Sequence, residues 1–167
     1  MHSAATQTAT TAPTTSGRSA APHARTRGRQ RALRLAFGLY LLALCVIVFA
    51  PQPDAERFTG IVAVIARAFE PWGIPFEIGY PVLEFSANIA LFVPFGILVS
   101  LIAPLWHPWL VIASGLAASC LIEFTQTALP SRFPTASDLL ANTLGTALGV
   151  ALLALFVRLR SRASSSA

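Results

Sequence analysis

The chain has 167 residues, enough for one domain; 54% are hydrophobic and only 11% are charged. A soluble domain carries roughly 25% charged residues, so a water-soluble fold of this size could not cover itself, and the composition points to a membrane. The formal charge is +5, all twelve basic residues are arginine, and nine lie near the ends: Arg18, Arg25, Arg27, Arg29, Arg31, Arg34, Arg158, Arg160 and Arg162. Basic ends around apolar spans read as cytoplasmic anchors, and nucleic acid is set aside as a partner because no folded reading module accompanies the basic arm.

Residues 1–32 read as a disordered basic tail. Ala, Thr, Ser, Pro and Gly dominate, then Arg, with no apolar period to support a helix. The first apolar span runs from Leu35 to Ala50 and is closed by Pro51. It is slightly short for a ~20-residue crossing, which Leu33 and the stem of Arg34 extend. A cleaved signal peptide is the rival reading, but a cut after Ala50 would put Pro51 beside it, which favours an uncleaved anchor. Residues 51–84 form a net acidic loop with Asp54, Glu56, Glu70, Glu77 and Glu84 against Arg57 and Arg67. Within it Ile61, Ile65, Phe69 and Trp72 recur at helical spacing, as in a short helix lying in the membrane interface and ended by Pro71 and Gly73. A plain surface loop with a short helix is the other reading.

The second span runs from Phe85 to Ala103. Pro94 leaves the carbonyl of Ala90 without its helical partner, so a kink is expected there. Gly96 admits a neighbouring helix at that depth. Residues 104–108 make a tight turn holding a solvated His107. The third span, Trp109 to Leu129, has a bland first half and then Ser119, Glu123, Thr125, Gln126 and Thr127. After the loop 130–137, Ser137 reads as the cap of a fourth span, Asp138 to Val157, with Asp138 in its positive first turn. Gly145 and Gly149 form a GxxxG pair, a close-packing signature whose face could also join two copies. Residues 158–167 read as a basic, disordered tail. Cys45 and Cys120 both fall in apolar spans, so no disulfide framework is expected.

The reading is therefore an all-α membrane domain over residues 33–157. It is a bundle of four transmembrane helices, with a short interfacial helix in the first outward loop and both termini cytoplasmic. That topology gathers the polar residues at the outer face. Glu84 and Asn88 begin the second span. Glu123 lies about 9 Å deep at 1.5 Å per residue, with Gln126 one turn shallower. Arg132 sits in the connecting loop, and Asp138 and Asn142 begin the fourth span. Glu84 with Asn88, Glu123 with Gln126, and Asp138 with Asn142 each share a helical face, and Gly145 and Gly149 continue the last. The product is a shallow outward cup of three carboxylates, three amides and one arginine.

Glu123 either holds a proton or a ligand's cationic group, or is hydrogen-bonded structurally to Asn88, Asn142 or Arg132. Asp138 and Glu84 are explained as well by helix-end electrostatics as by function. Arg132 pairs with Glu123 or Asp138, or grips a phosphate or carboxylate. No metal-ligand spacing and no cofactor motif is present.

The run Asn88-Ile-Ala-Leu-Phe-Val-Pro94-Phe-Gly96, then Ile122-Glu123-Phe-Thr-Gln126, Arg132, and Asp138-Leu-Leu-Ala-Asn142-Thr-Leu-Gly145-Thr-Ala-Leu-Gly149 resembles the VanZ-like family of bacterial membrane proteins. The resemblance covers roughly residues 35 to 157. Many relatives carry an extra acidic residue between the arginine and the aspartate, where this chain has FPTAS. The family takes its name from a protein linked to teicoplanin resistance. The resemblance implies a multi-pass protein of the bacterial inner membrane associated with the envelope, and no particular reaction. Three functions fit. One is an accessory protein whose cup holds a lipid-linked envelope precursor or an antibiotic. Another is an enzyme acting on a lipid headgroup through its carboxylates, against which stand the missing GxSxG and HExxH motifs. The last is a proton-coupled transporter, dimeric through Gly145 and Gly149. The cytoplasmic halves of the spans hold only Ser100 and Ser114 as polar residues, which disfavours transport.

Overall fold

The computed structural model describes residues 21–49, 52–127 and 136–165, and among the described residues there is no strand. The chain folds as α1 (Ala21–Phe49), α2 (Gln52–Ala68), a 3-10 turn (Glu70–Trp72), α3 (Phe76–Ile102), α4 (Pro108–Gln126) and α5 (Ala136–Ser165). Helices α1, α3, α4 and α5 are long and apolar enough to cross a membrane. Helix α2, with 17 residues, is short of the ~20 a crossing needs.

Several boundaries differ from those read in the sequence. Helix α1 begins at Ala21, inside the stretch read as disordered, and α5 continues through the basic tail to Ser165. Alanine and arginine are strong helix formers, and an apolar span already nucleated lets the helix propagate outward cheaply. The interfacial helix is longer than expected because it starts at Gln52. Helix α3 starts at Phe76, nine residues before Phe85, so its first turns come from the stretch read as loop. Ser137, read as a cap, lies one residue inside α5. Between the 3-10 turn and α3 the chain reverses at Gly73, whose φ of 87° is open to glycine at little cost. Its N–H donates to the Glu70 carbonyl at 3.0 Å.

Helix α5 is the centre of the bundle. It packs most extensively on α3 and next on α4. Later residues of α5 meet later residues of α3, from Asp138 beside Asn88 to Gly149 beside Val93, so these two helices run parallel. Asn142 faces Ser119 and Thr146 faces Gly115, so α4 runs antiparallel to α5. Helix α1 lies on the outside of α3, where Leu44 joins a core of Phe92, Phe95, Val99 and Val111. The Phe37 and Phe95 rings meet edge-on at 5.6 Å. The Tyr40 hydroxyl donates to the Leu91 carbonyl at 2.7 Å. Helix α3 runs on through both Pro81 and Pro94. Tyr40 therefore clamps α1 onto the turn that Pro94 weakens, one carbonyl beyond the Ala90 oxygen expected to need a partner.

The bundle is apolar outward and partly polar inward. Leu140, Leu144, Leu148 and Leu152, four apart on α5, are each 44–56% exposed. On the opposite face Ala141, Asn142, Gly145, Thr146 and Gly149 are buried. Lipid is the natural solvent for such an outer surface. Helix α2 behaves likewise: Ala66 is fully buried beside Gly79 of α3, while Ile61, Val64 and Ile65 point away from the protein.

Four glycines set how closely the helices approach. A Cβ at Gly145 or Gly149 would strike the backbone carbonyl oxygen of Ile89 or Val93 on α3. Gly145 and Gly149 thus lie against α3 of the same chain. Thr146, fully buried, is wedged between Gly96 and Gly115. A Cβ at Gly96 would meet the Thr146 carbonyl oxygen, and one at Gly115 would meet the Thr146 side chain.

These two clashes predict different behaviour. Gly96→Ala and Gly115→Ala should each destabilise the protein, by about 1–3 kcal/mol as overpacking does. Thr146→Ala, which removes Oγ1 and Cγ2 but leaves Cβ 2.8 Å from the added methyl, should partly rescue Gly115→Ala. It should not rescue Gly96→Ala, where the obstacle is backbone. Thermal unfolding in detergent measures both, and equal rescue would refute this packing.

Candidate functional site

The helix repeat places polar residues four apart on single faces. On α5 these are Asp138, Asn142 and Thr146. On α4 they are Ser119 and Glu123, one turn beyond Gly115, with Gln126 three further on. Asn88 on α3 completes the set. Because the glycines hold the backbones close, even short side chains bridge between helices. Asn88 Nδ2 donates to Asp138 Oδ1 at 2.7 Å, tying α3 to α5. Asn142 Nδ2 donates to Ser119 Oγ at 2.9 Å in a buried contact, tying α5 to α4. Thr146 Oγ1 donates to the Asn142 carbonyl at 3.0 Å.

These contacts make a ladder. From Asp138 to Thr146 is eight residues, about 12 Å along α5, so the polar strip descends toward the middle of a ~30 Å hydrocarbon layer. Glu123 and Gln126 are buried beside it, each 8% exposed. Neither is left without a partner. A carboxylate at this depth is costly in lipid, and its burial within protein, among hydroxyls and amides, is what makes it tolerable. The group offers acceptor oxygens from Glu123 and Asp138 and both donors and acceptors from the amides. That chemistry suits holding a polar headgroup.

The sequence-derived set is brought together in part. Asn88, Glu123, Gln126, Asp138 and Asn142 all lie at the same end of the three-helix core. Glu84 is exposed, and Tyr80, one turn earlier on the same helix, hydrogen-bonds it. Arg132 lies outside the described residues. Gly96, Gly145 and Gly149 lie against neighbouring helices, and Pro94, read as a kink, stands inside the continuous α3. Among the described residues no three His, Cys, Asp or Glu side chains gather as a metal site. Three residues that matter were not singled out as candidates: Ser119, Gly115 and Thr146. Extending the four-residue spacing inward from Glu123 and Asn142 would have found all three.

At the other end of the bundle polarity is absorbed locally. The Ser100 hydroxyl donates to the Gly96 carbonyl and the Ser114 hydroxyl to the Val111 carbonyl, each at 2.7 Å on its own helix.

The VanZ/LLP1 family model matches residues 37–157. No curated protein and no solved structure matches the chain.

The Asn88–Asp138 bond is testable by exchange. Asp138→Asn keeps an acceptor oxygen and should be tolerated. Asn88→Asp sets two carboxylates at a 2.7 Å contact and should lower the amount of folded protein in the membrane several-fold. The double variant Asn88→Asp/Asp138→Asn reverses donor and acceptor and should restore it. Membrane levels and thermal stability of the four proteins decide it, and no restoration in the double variant would remove this contact from the fold.

Proposed function

The chain belongs to the VanZ/LLP1 family, and from that premise we propose that it is an envelope-associated binding protein of the bacterial inner membrane. Its Asp138 end faces outward and receives the polar part of a lipid-linked or cell-wall-related ligand. The positive-inside rule supports this orientation, because Arg27, Arg29, Arg31 and Arg34 on α1 and Arg158, Arg160 and Arg162 on α5 all lie at the opposite end.

The observation that carries the reading is Glu123. The helices here are joined by neutral donors and by Asp138 at the bundle end, and a neutral side chain at position 123 would serve packing at lower cost. A buried carboxylate one turn from Ser119, with Gln126 beside it, supports a site that uses its oxygens. In this reading Glu123 and Gln126 bind the headgroup with the help of Arg132, and Asn142 and Ser119 hold α4 and α5 at the right separation. Tolerance to glycopeptides such as teicoplanin is the expected phenotype. Proton-coupled transport is the weaker reading, because Ser100 and Ser114 are both spent on their own helices.

A deletion strain complemented with wild type, Glu123→Gln or Arg132→Ala, and challenged with envelope-targeting antibiotics including teicoplanin, tests this. Glu123→Gln is expected to reach normal membrane levels yet behave like the deletion. Full rescue by Glu123→Gln would leave the carboxylate without a role in binding and overturn the proposal.

A further inference from the structure

The bundle end opposite Asp138 holds a second feature. The last turns of α3, the connection to α4, the first turn of α4 and the later part of α5 enclose an open cleft of about 360 Å³. That is within the range of small-molecule sites, roughly 300–1,000 Å³. Its lining includes Ser100, Trp106, Val111, Val150, Leu153 and Arg158. The Ser100 hydroxyl is spent on the Gly96 carbonyl, so the walls are effectively apolar. Among the described residues, Arg158 is the only charged one in the lining.

Depth fixes what each part of the cleft would meet. Counted from Ala136, about twenty residues of α5 cover a ~30 Å hydrocarbon layer, which ends near Leu155. Arg158 then lies at headgroup level, while Val111, Val150 and Leu153 lie at acyl-chain level. Trp106 and Trp109, 50% and 61% exposed, mark the same boundary. The neighbouring arginines are used otherwise: Arg160 sits over the Phe156 ring at 5.1 Å, and Arg162 has its own partner. Arg158 is the one turned to the cleft.

The geometry points to a seat for one anionic phospholipid, with an acyl chain along the half-buried Val150 and Leu153 and the phosphate gripped by Arg158. A guanidinium fork matches two phosphate oxygens, and its charge selects anionic over zwitterionic headgroups. The cytoplasmic leaflet supplies such lipids. The seat is remote from Glu123, so it stands or falls independently of the proposed ligand site.

The test uses the full chain in phosphatidylcholine nanodiscs, with Trp72→Phe and Trp109→Phe so that Trp106 is the sole indole reporter. Brominated phosphatidylglycerol or brominated phosphatidylcholine is added as the quencher. Phosphatidylglycerol is expected to be about fivefold preferred at Trp106. Arg158→Gln should abolish the preference, and so should Ala154→Phe, which fills the cleft from an exposed lining position while keeping the charge. Arg31→Gln, on α1, should leave it intact. The proposal is overturned if the parent shows no preference, or if either Arg158→Gln or Ala154→Phe retains it. Equal loss with Arg31→Gln would mean a diffuse basic field and would overturn it too.

Discussion

The bundle depends on how closely Thr146 can be approached. In lipid there is no hydrophobic force to press helices together, because the solvent is as apolar as their leucines. What remains is van der Waals contact and hydrogen bonding, and both need near backbones. Gly96 and Gly115 give Thr146 room on its two sides, and Gly145 and Gly149 let α5 lie against the carbonyls of α3. A methyl group at Gly96, Gly145 or Gly149 would collide with atoms that are mostly backbone and have nowhere to go, and one at Gly115 would collide with the Thr146 side chain. The leucines at 140, 144, 148 and 152 are then left to face lipid.

The polar ladder follows from that approach. Asparagine and serine are short, so Asn142 reaches Ser119 only because the glycines beside them have already brought α4 and α5 together. Each such bond in a membrane protein is worth about 0.6–2 kcal/mol, comparable with one in water, yet losing one partner strands the other where no water can replace it. The bonds therefore add register more than raw stability. Asn88 with Asp138 fixes α3 against α5, and Asn142 with Ser119 fixes α5 against α4. The single fixed arrangement that results is what a recognition site at that end would need.

The four spans, and the gathering of Asn88, Glu123, Gln126, Asp138 and Asn142 at one end of the bundle, were legible because length, hydropathy and the 1.5 Å helical rise are properties of the sequence itself. The resemblance carried by Asn88 to Gly149 agrees with the match over residues 37–157. The rotation of each helix was not legible. Nothing local tells whether Gly145 and Gly149 meet their own α3 or another copy, since the motif serves both; only the packed bundle decides. Helix starts were misplaced where apolarity and helicity part company. Residues 21–32 are too polar to read as membrane yet belong to α1, and Phe76 opens α3 well before the apolar span begins. The role of Ser119 is not legible because a hydroxyl in an apolar run commonly bonds its own helix, as those of Ser100, Ser114 and Thr146 do, whereas Ser119 accepts from Asn142 across helices.

That contrast also separates the two ends of the molecule chemically. A serine whose hydroxyl returns to its own backbone adds nothing to the interior, so the arginine end is apolar inside and charged only at its rim. At the Asp138 end the side chains bond across helices, and the polarity becomes a property of the bundle rather than of one segment. Glu123 belongs to this second kind. It shares a face with Ser119 and is buried among elements already tied together by neutral groups. Packing alone would have been met by glutamine, which is what stands three residues later. The proposed ligand-binding role turns on that difference between a carboxylate and an amide, because an acidic group inside a membrane domain is costly and is retained where something uses it.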